Sequence, residues 1–126
     1  MVGSGEWDLI GSPVDGLSID SFLSTNATPI ATNGSIYALG YYDNAADSWT
    51  NYTTSTASGA GNFDIGKGYQ MATDSGATLA FTGTVPTSAQ TQSVINNDAA
   101  GGRRWNLVAN PFPSYLMATN GADATN

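Results

Sequence analysis

A chain of 126 residues with ten acidic residues against three basic ones carries a formal charge of −7, a field that repels nucleic-acid backbones and anionic membrane surfaces alike. It has no Cys and no His, which excludes disulfides, thiolate metal sites, a Cys nucleophile and imidazole chemistry. Only 10% of its residues are charged; Gly, Ser, Thr, Asn and Ala fill most small and polar positions, a composition that fits an extracellular or cell-surface β protein. The length suits one domain able to bury roughly two thirds of its unfolded surface. There is no apolar run long enough for a membrane helix and no signal-peptide pattern before "VGSGEWDLIG", so an exported protein of this kind is expected to be part of a longer chain.

In chain order, "EWDLIG" reads as a short strand. "LSIDSFLS" (Leu17 to Ser24) predicts one or two helical turns near residues 18–24, with Ser18 as N-cap and Ile19, Phe22 and Leu23 on one apolar stripe. "TNGS" (Thr32 to Ser35) is a turn. "SIYALGYYD" alternates Tyr37, Leu39 and Tyr41 against Ile36, Ala38 and Tyr42, the period of a pleated strand. "SWTNYT" and "GYQMAT" read as strands, separated by the turn "GAGN" (Gly59 to Asn62). "ATLAFTGT" alternates Leu79 and Phe81 against Thr78, Ala80 and Thr82, and "TQSVIN", the turn "NDAAGG" and "RWNLVAN" follow. About seven short strands and no helices to cover parallel crossovers predict an all-β fold, an antiparallel β-sandwich or jelly roll.

The chain repeats a pattern: "WDLIGSPV" from Trp7 and "WNLVANPF" from Trp105. Each copy reads as a strand closed by a proline, Pro13 or Pro111, that denies the sheet an N–H. In each, Trp and the β-branched residue are expected on one face and Leu on the other, with Trp7 and Trp105 substantially buried. Leu39, Tyr41, Leu79, Phe81, Ile95, Leu107 and Val108 are the remaining expected core, and truncating a buried Trp should cost about 3–5 kcal/mol.

The series "WDLIGSPV", "IDSFL", "YALGYYD", "WTNY", "GKGYQM", "LAFTGT" and "WNLVANPFPSYL" resembles the β-rich region that precedes the type IX secretion sorting domain in large secreted proteins of gliding bacteria. "NLVANPFPS" is similar to that family's "NLVGNPYPS". The resemblance runs from Trp7 to Leu116 and implies that 1–104 form one unit and 105–126 open a second, related one, the rest of which and the sorting domain lie outside this chain. A lone second strand must bury Leu107, Val108, Phe112 and Leu116, so it is expected to join the first module or to favour a homodimer. Deleting 105–126 is then expected to leave an insoluble or unfolded chain.

Several positions are able to carry chemistry. Asp43, Asn44 and Asp47 in "DNAADSW" offer oxygen ligands for a hard cation such as Ca²⁺; the competing reading is a hairpin loop closed by Asx turns. "GKGYQ" lacks the spacing of a phosphate loop and reads as a turn with Lys67 solvated. Glu6, Asp8 and Asp64 form no recognisable glycosidase pair, and Arg103 and Arg104 read as an edge guard or ion-pair partners. Trp49, Tyr52, Tyr42 and Tyr69, with Tyr41, Phe112 and Tyr115, supply rings for stacking on sugars or for ordinary cross-strand packing. The sequons at Asn26, Asn33 and Asn51 fit surface loops.

These features point to a non-catalytic structural or linker module of a secreted or cell-surface protein, with neighbouring modules as partners. A carbohydrate-binding module using exposed Trp and Tyr is the alternative, and a carboxylate-dependent glycoside hydrolase fragment the remote one. No cofactor other than Ca²⁺ is suggested.

Overall fold

The structure is a computed structural model that describes residues 6–74, 76–96 and 105–114. The expected turn at 97–102, Arg103 and Arg104, and Tyr115 and Leu116 lie outside the described residues. The fold is mostly strands with an antiparallel sheet and one short helix. The strands are β1 (Asp8–Ile10), β2 (Thr32–Asn33), β3 (Ile36–Asp43), β4 (Ser48–Thr53) and β5 (Tyr69–Met71), with helix α1 at Ile19–Thr25. Among the described residues they form a five-stranded sheet in the order β1-β5-β3-β2, with β4 paired to the other edge of β3, and every pairing is antiparallel.

The helix forms as its sequence dictates. The Ser18 hydroxyl accepts the Ser21 N–H at 3.1 Å, satisfying one of the amide donors left open in the first turn, and Ile19, Phe22 and Leu23 are buried. They meet Val14, Leu17, Ile30, Leu39, Phe63, Tyr69 and Met71 in one core. Phe63 is its aromatic hinge, edge-on to Phe22 at 5.2 Å and to Tyr69 at 4.9 Å. Leu39 is fully buried, while Tyr37 and Tyr41 pack partly buried against the same cluster, so β3 turns the expected face inward.

Three segments expected as strands are extended without continuous ladders. "ATLAFTGT" keeps its alternation, since Leu79 and Phe81 pack on the core while Thr78, Ala80 and Thr82 are exposed. Its backbone is held instead by the Asp15↔Thr84 bridge and by the side chain of Asn26. The segment at 91–96 is fixed through Ile95, whose N–H donates to Asn106 Oδ1 at 2.9 Å and whose carbonyl accepts from Asn106 Nδ2 at 2.8 Å. The second Trp-headed segment makes one antiparallel bridge, Lys67↔Val108. In the other direction, β2 is a strand where only a turn was expected.

The Trp-headed repeat corrects the expected burial. Trp7 is 52% and Trp105 76% exposed. A strand alternates strictly, so Trp7 and Leu9 share a face and Ile10 turns the other way: Leu9 is exposed and Ile10 packs on the core. Ile95 and Val108 are likewise exposed; both line the open cleft beside the Trp105–Val108 segment.

What the repeat encodes is its exit. The Val14 N–H donates to Ser12 Oγ at 3.3 Å, and the Phe112 N–H donates to Asn110 Oδ1 at 3.0 Å. In both copies the polar residue before proline caps the amide after it, closing the turn into which proline steers the chain. Ser12 and Pro111 are buried, so these turns are part of the packed structure.

Candidate ligand-binding face

The sheet has two faces, and only one carries the core. Register places Leu9 opposite Gln70, Gln70 opposite Gly40 and Gly40 opposite Asn51, so these residues form one row across β1, β5, β3 and β4 on the outer face. The next row pairs Tyr42 with Trp49. Gln70 Nε2 donates to Asn51 Oδ1 at 2.7 Å, and Asn51 Nδ2 donates to the Tyr37 carbonyl at 3.0 Å. This amide bridge passes over β3 at Gly40, where a Cβ would lie 2.6 Å from Asn51 Oδ1 and 2.5 Å from the Thr50 carbonyl. Glycine stands there because the backbone and the bridge occupy the space of a side chain.

The Trp49 ring, 44% exposed, meets Tyr42 edge-on with centroids 5.6 Å apart. The Tyr42 hydroxyl donates to Asp47, which holds the hairpin corner at φ +51°, so the tyrosine that backs the indole is itself anchored. On the far side of the amide row an apolar groove of about 370 Å³ runs over Ala31, Ala38 and Ala72, walled by Trp7 and Ile36.

The expected aromatic set is therefore divided by the sheet. Trp49 and Tyr42 stand on the outer face. Tyr52 and Tyr69 lie on the core side, Tyr52 against Tyr41 at 5.7 Å and Tyr69 fully buried, so Tyr69 cannot present its ring to a ligand. Burial, the larger cause, and the nearby Asp64 carboxylate push the Tyr69 hydroxyl up to about 12, against a partial offset from the Asp64 N–H that it accepts at 3.0 Å. Burial, and then the neighbouring Tyr69 and Tyr41, raise the Tyr52 hydroxyl further.

The Asp43–Asp47 loop uses its oxygens internally. Asp43 Oδ1 accepts from the amides of Ala45 and Ala46 at 2.9 and 3.2 Å, Asn44 is buried and donates to the Trp105 carbonyl, and Asp47 takes the Tyr42 hydroxyl. Among the described residues no group of three or more acidic side chains sits close enough to hold a metal ion. Asp43 closes an Asx turn, Asn44 is tied to the Trp105 segment and Asp47 to Tyr42.

Lys67 is not the solvated residue expected. Its ammonium lies 4.7 Å over the Tyr41 ring, 5.7 Å from that of Tyr69 and 3.5 Å from Asp64 Oδ2, at the wall of a cleft of about 280 Å³ between the β3 end and the Trp105–Val108 segment. Of the sequons, Asn33 is exposed, but Asn51 is engaged in the amide bridge and Asn26 is 2% exposed with both ends of its amide bonded inside the fold. Sequence reasoning missed the amide row; the run Gly40, Asn51, Gln70 becomes visible only once the strands are in register.

The second Trp-headed segment is seated on the fold. The Gly68 N–H donates to the Leu107 carbonyl at 2.9 Å and the Ala109 N–H to the Gly66 carbonyl at 2.8 Å. A Cβ on Gly68 would overlap the Leu107 side chain, and one on Gly11 would overlap the Ala109 methyl. Gly11 and Ala109 occupy equivalent places in the two copies, so the copies touch each other at the same position of the pattern.

Compared with known protein families, curated proteins and solved structures, the chain matches none.

Proposed function

We propose that this chain is a non-catalytic structural module of a secreted or cell-surface protein, joined to neighbouring modules through its Trp-headed segments. One observation carries the proposal. The first copy bonds to Tyr69–Met71 as β1, and the second bonds to the stretch just before it, Gly66–Gly68. The domain is thus closed by the same pattern that opens it, and a segment seated by backbone hydrogen bonds and two glycine clearances makes a stiff joint, where an untethered tail would make a flexible one. In this proposal 1–104 form the module and 105–126 open the next. The sandwich architecture belongs to the same proposal: the extended 77–84 segment, with Leu79 and Phe81 on the core, takes the place of a second layer.

Trypsin provides the test, because Lys67, Arg103 and Arg104 are the chain's only basic residues. Cutting after Arg104 turns an intramolecular contact into a bimolecular one and removes its effective concentration. The nicked protein should melt about 5 °C lower than the intact chain. An unchanged melting temperature would show that 105–126 is an appendage.

A further inference from the structure

We propose that the outer face of the sheet binds an uncharged glycan of all-equatorial hexopyranose units, with Trp49 as the stacking ring and the Gln70–Asn51 amide bridge as the polar contact. The module reading does not require this site, which stands on different residues. Three features of the face select the ligand. Trp49 is a large apolar ring left 44% exposed yet held in orientation by its cross-strand partner Tyr42, which meets it edge-on, and a sugar whose substituents are all equatorial offers an apolar C–H face of matching shape. The neighbouring row presents two side-chain amides whose mutual bond leaves further donor and acceptor capacity, over a floor kept low by Gly40. Such groups suit hydroxyls, which both donate and accept.

Charge decides between glycans. The two rows, Leu9, Gln70, Gly40, Asn51, Tyr42 and Trp49, contain no ionisable carboxylate or base, on a chain of net charge −7. A uronate or sulfated polymer is repelled by the chain as a whole, and the carboxylate at the edge of these rows, Asp47, is engaged by the Tyr42 hydroxyl. From Trp49 to Gln70 is one same-face step along a strand and two strands across, about 12 Å, more than one sugar ring, so the ligand is an oligosaccharide or longer.

The test titrates the full ¹⁵N-labelled chain with cellohexaose and laminarihexaose, with polygalacturonate as the anionic control. The Trp49 indole N–H, assigned by its loss in Trp49→Ala, and the side-chain amides of Asn51 and Gln70 should shift on at least one neutral hexaose, and the Trp105 indole should not. Trp49→Ala should weaken binding about tenfold or more and Gln70→Ala severalfold, and the melting temperature of Trp49→Ala should stay near that of the parent because Trp49 is half exposed on an edge strand. The proposal is overturned if neither hexaose moves these signals at about 10 mM, if binding survives Trp49→Ala, or if polygalacturonate binds as well as the neutral hexaoses. It is equally overturned if the same signals move with protein concentration alone, which would make the face a contact between copies of this chain. If Trp49→Ala fails to fold, Gln70→Ala, which leaves the indole in place, carries the comparison.

Discussion

The side chain of Asn26 treats Ala80 as a neighbouring strand would. Its Oδ1 accepts the Ala80 N–H at 2.8 Å and its Nδ2 donates to the Ala80 carbonyl at 3.0 Å, while the same Nδ2 also donates to the Phe22 carbonyl at 2.8 Å. One buried amide therefore ties the end of α1 to the extended 77–84 segment and satisfies backbone groups that would otherwise need a ladder partner. Asn106 repeats the device on Ile95.

Removing the Asn26 amide leaves the Ala80 N–H and carbonyl without their partner, while the Phe22 carbonyl keeps the Asn26 backbone N–H. Asn26→Ala should cost about 3 kcal/mol, read as a shift of the urea midpoint with an unchanged slope. Leu79 and Phe81 would lose their anchor, so the loss should be accompanied by faster hydrogen exchange at Ala80. A variant as stable as the parent would mean that packing alone places the segment.

This arrangement also explains which parts of the fold were legible in the sequence. The helix was, because Ser18 and the Ile19, Phe22, Leu23 stripe are local signals, and so were β3, β4 and the inward face of Tyr37, Leu39 and Tyr41. The 77–84 segment showed strand alternation truthfully, but alternation reports which side is buried and is silent on who supplies the hydrogen bonds; the 91–96 segment read as a strand and is exposed along its whole length. A side-chain amide standing in for a strand leaves the same pattern. Trp7 was misjudged for a related reason: a large apolar residue signals burial only where its face meets the core, and period two puts Trp7 beside the exposed Leu9. For the candidate site, Trp49 and Tyr42 were identified from residue type, whereas Gln70, Gly40 and Asn51 are far apart in sequence and are joined only by register.

Gly40 gives a sharp check on that register. A methyl group there meets the Thr50 carbonyl and Asn51 Oδ1 at 2.5 and 2.6 Å, and the backbone contact cannot be relieved by a rotamer change. Gly40→Ala should lower stability by about 1–3 kcal/mol and shift the side-chain amide resonances of both Asn51 and Gln70. Unmoved amide resonances would show that the bridge does not cross β3 at this point.

The exposure of Trp105 reverses the expectation set by its residue type. With 76% of its surface in solvent, Trp105→Ala should change stability by less than about 0.5 kcal/mol. Phe22→Ala, which empties the centre of the core, should cost about 3–5 kcal/mol. Thermal melts of the two variants side by side separate a repeat that works through its turns and backbone from one that works through its indole.

Tyrosine ionisation provides a pH test. The chain has six tyrosines, and the hydroxyl of Tyr69 is pushed up to about 12 by burial, with Tyr52 raised as well. A folded-state value above the unfolded one of about 10 means that the native state holds the proton longer, so this stabilisation is complete below pH about 10 and is lost as pH rises toward 12. Absorbance at 295 nm should show a late-ionising fraction, from Tyr69 and Tyr52, that appears together with unfolding. A single titration near 10 in a protein still folded would place both hydroxyls in water.

The seating of the second Trp-headed segment on Gly66–Gly68 is the centre of this account, and amide hydrogen exchange reads it directly. In the intact chain the Gly68 and Ala109 amides, bonded to the Leu107 and Gly66 carbonyls at 2.9 and 2.8 Å, should be protected together. In Gly68→Val, where the new side chain takes the place of Leu107, the Ala109 amide should exchange freely while those of β3 and β4 stay slow. Exchange at free-chain rates for Ala109 in the parent protein, with β3 protected, would contradict the seated joint.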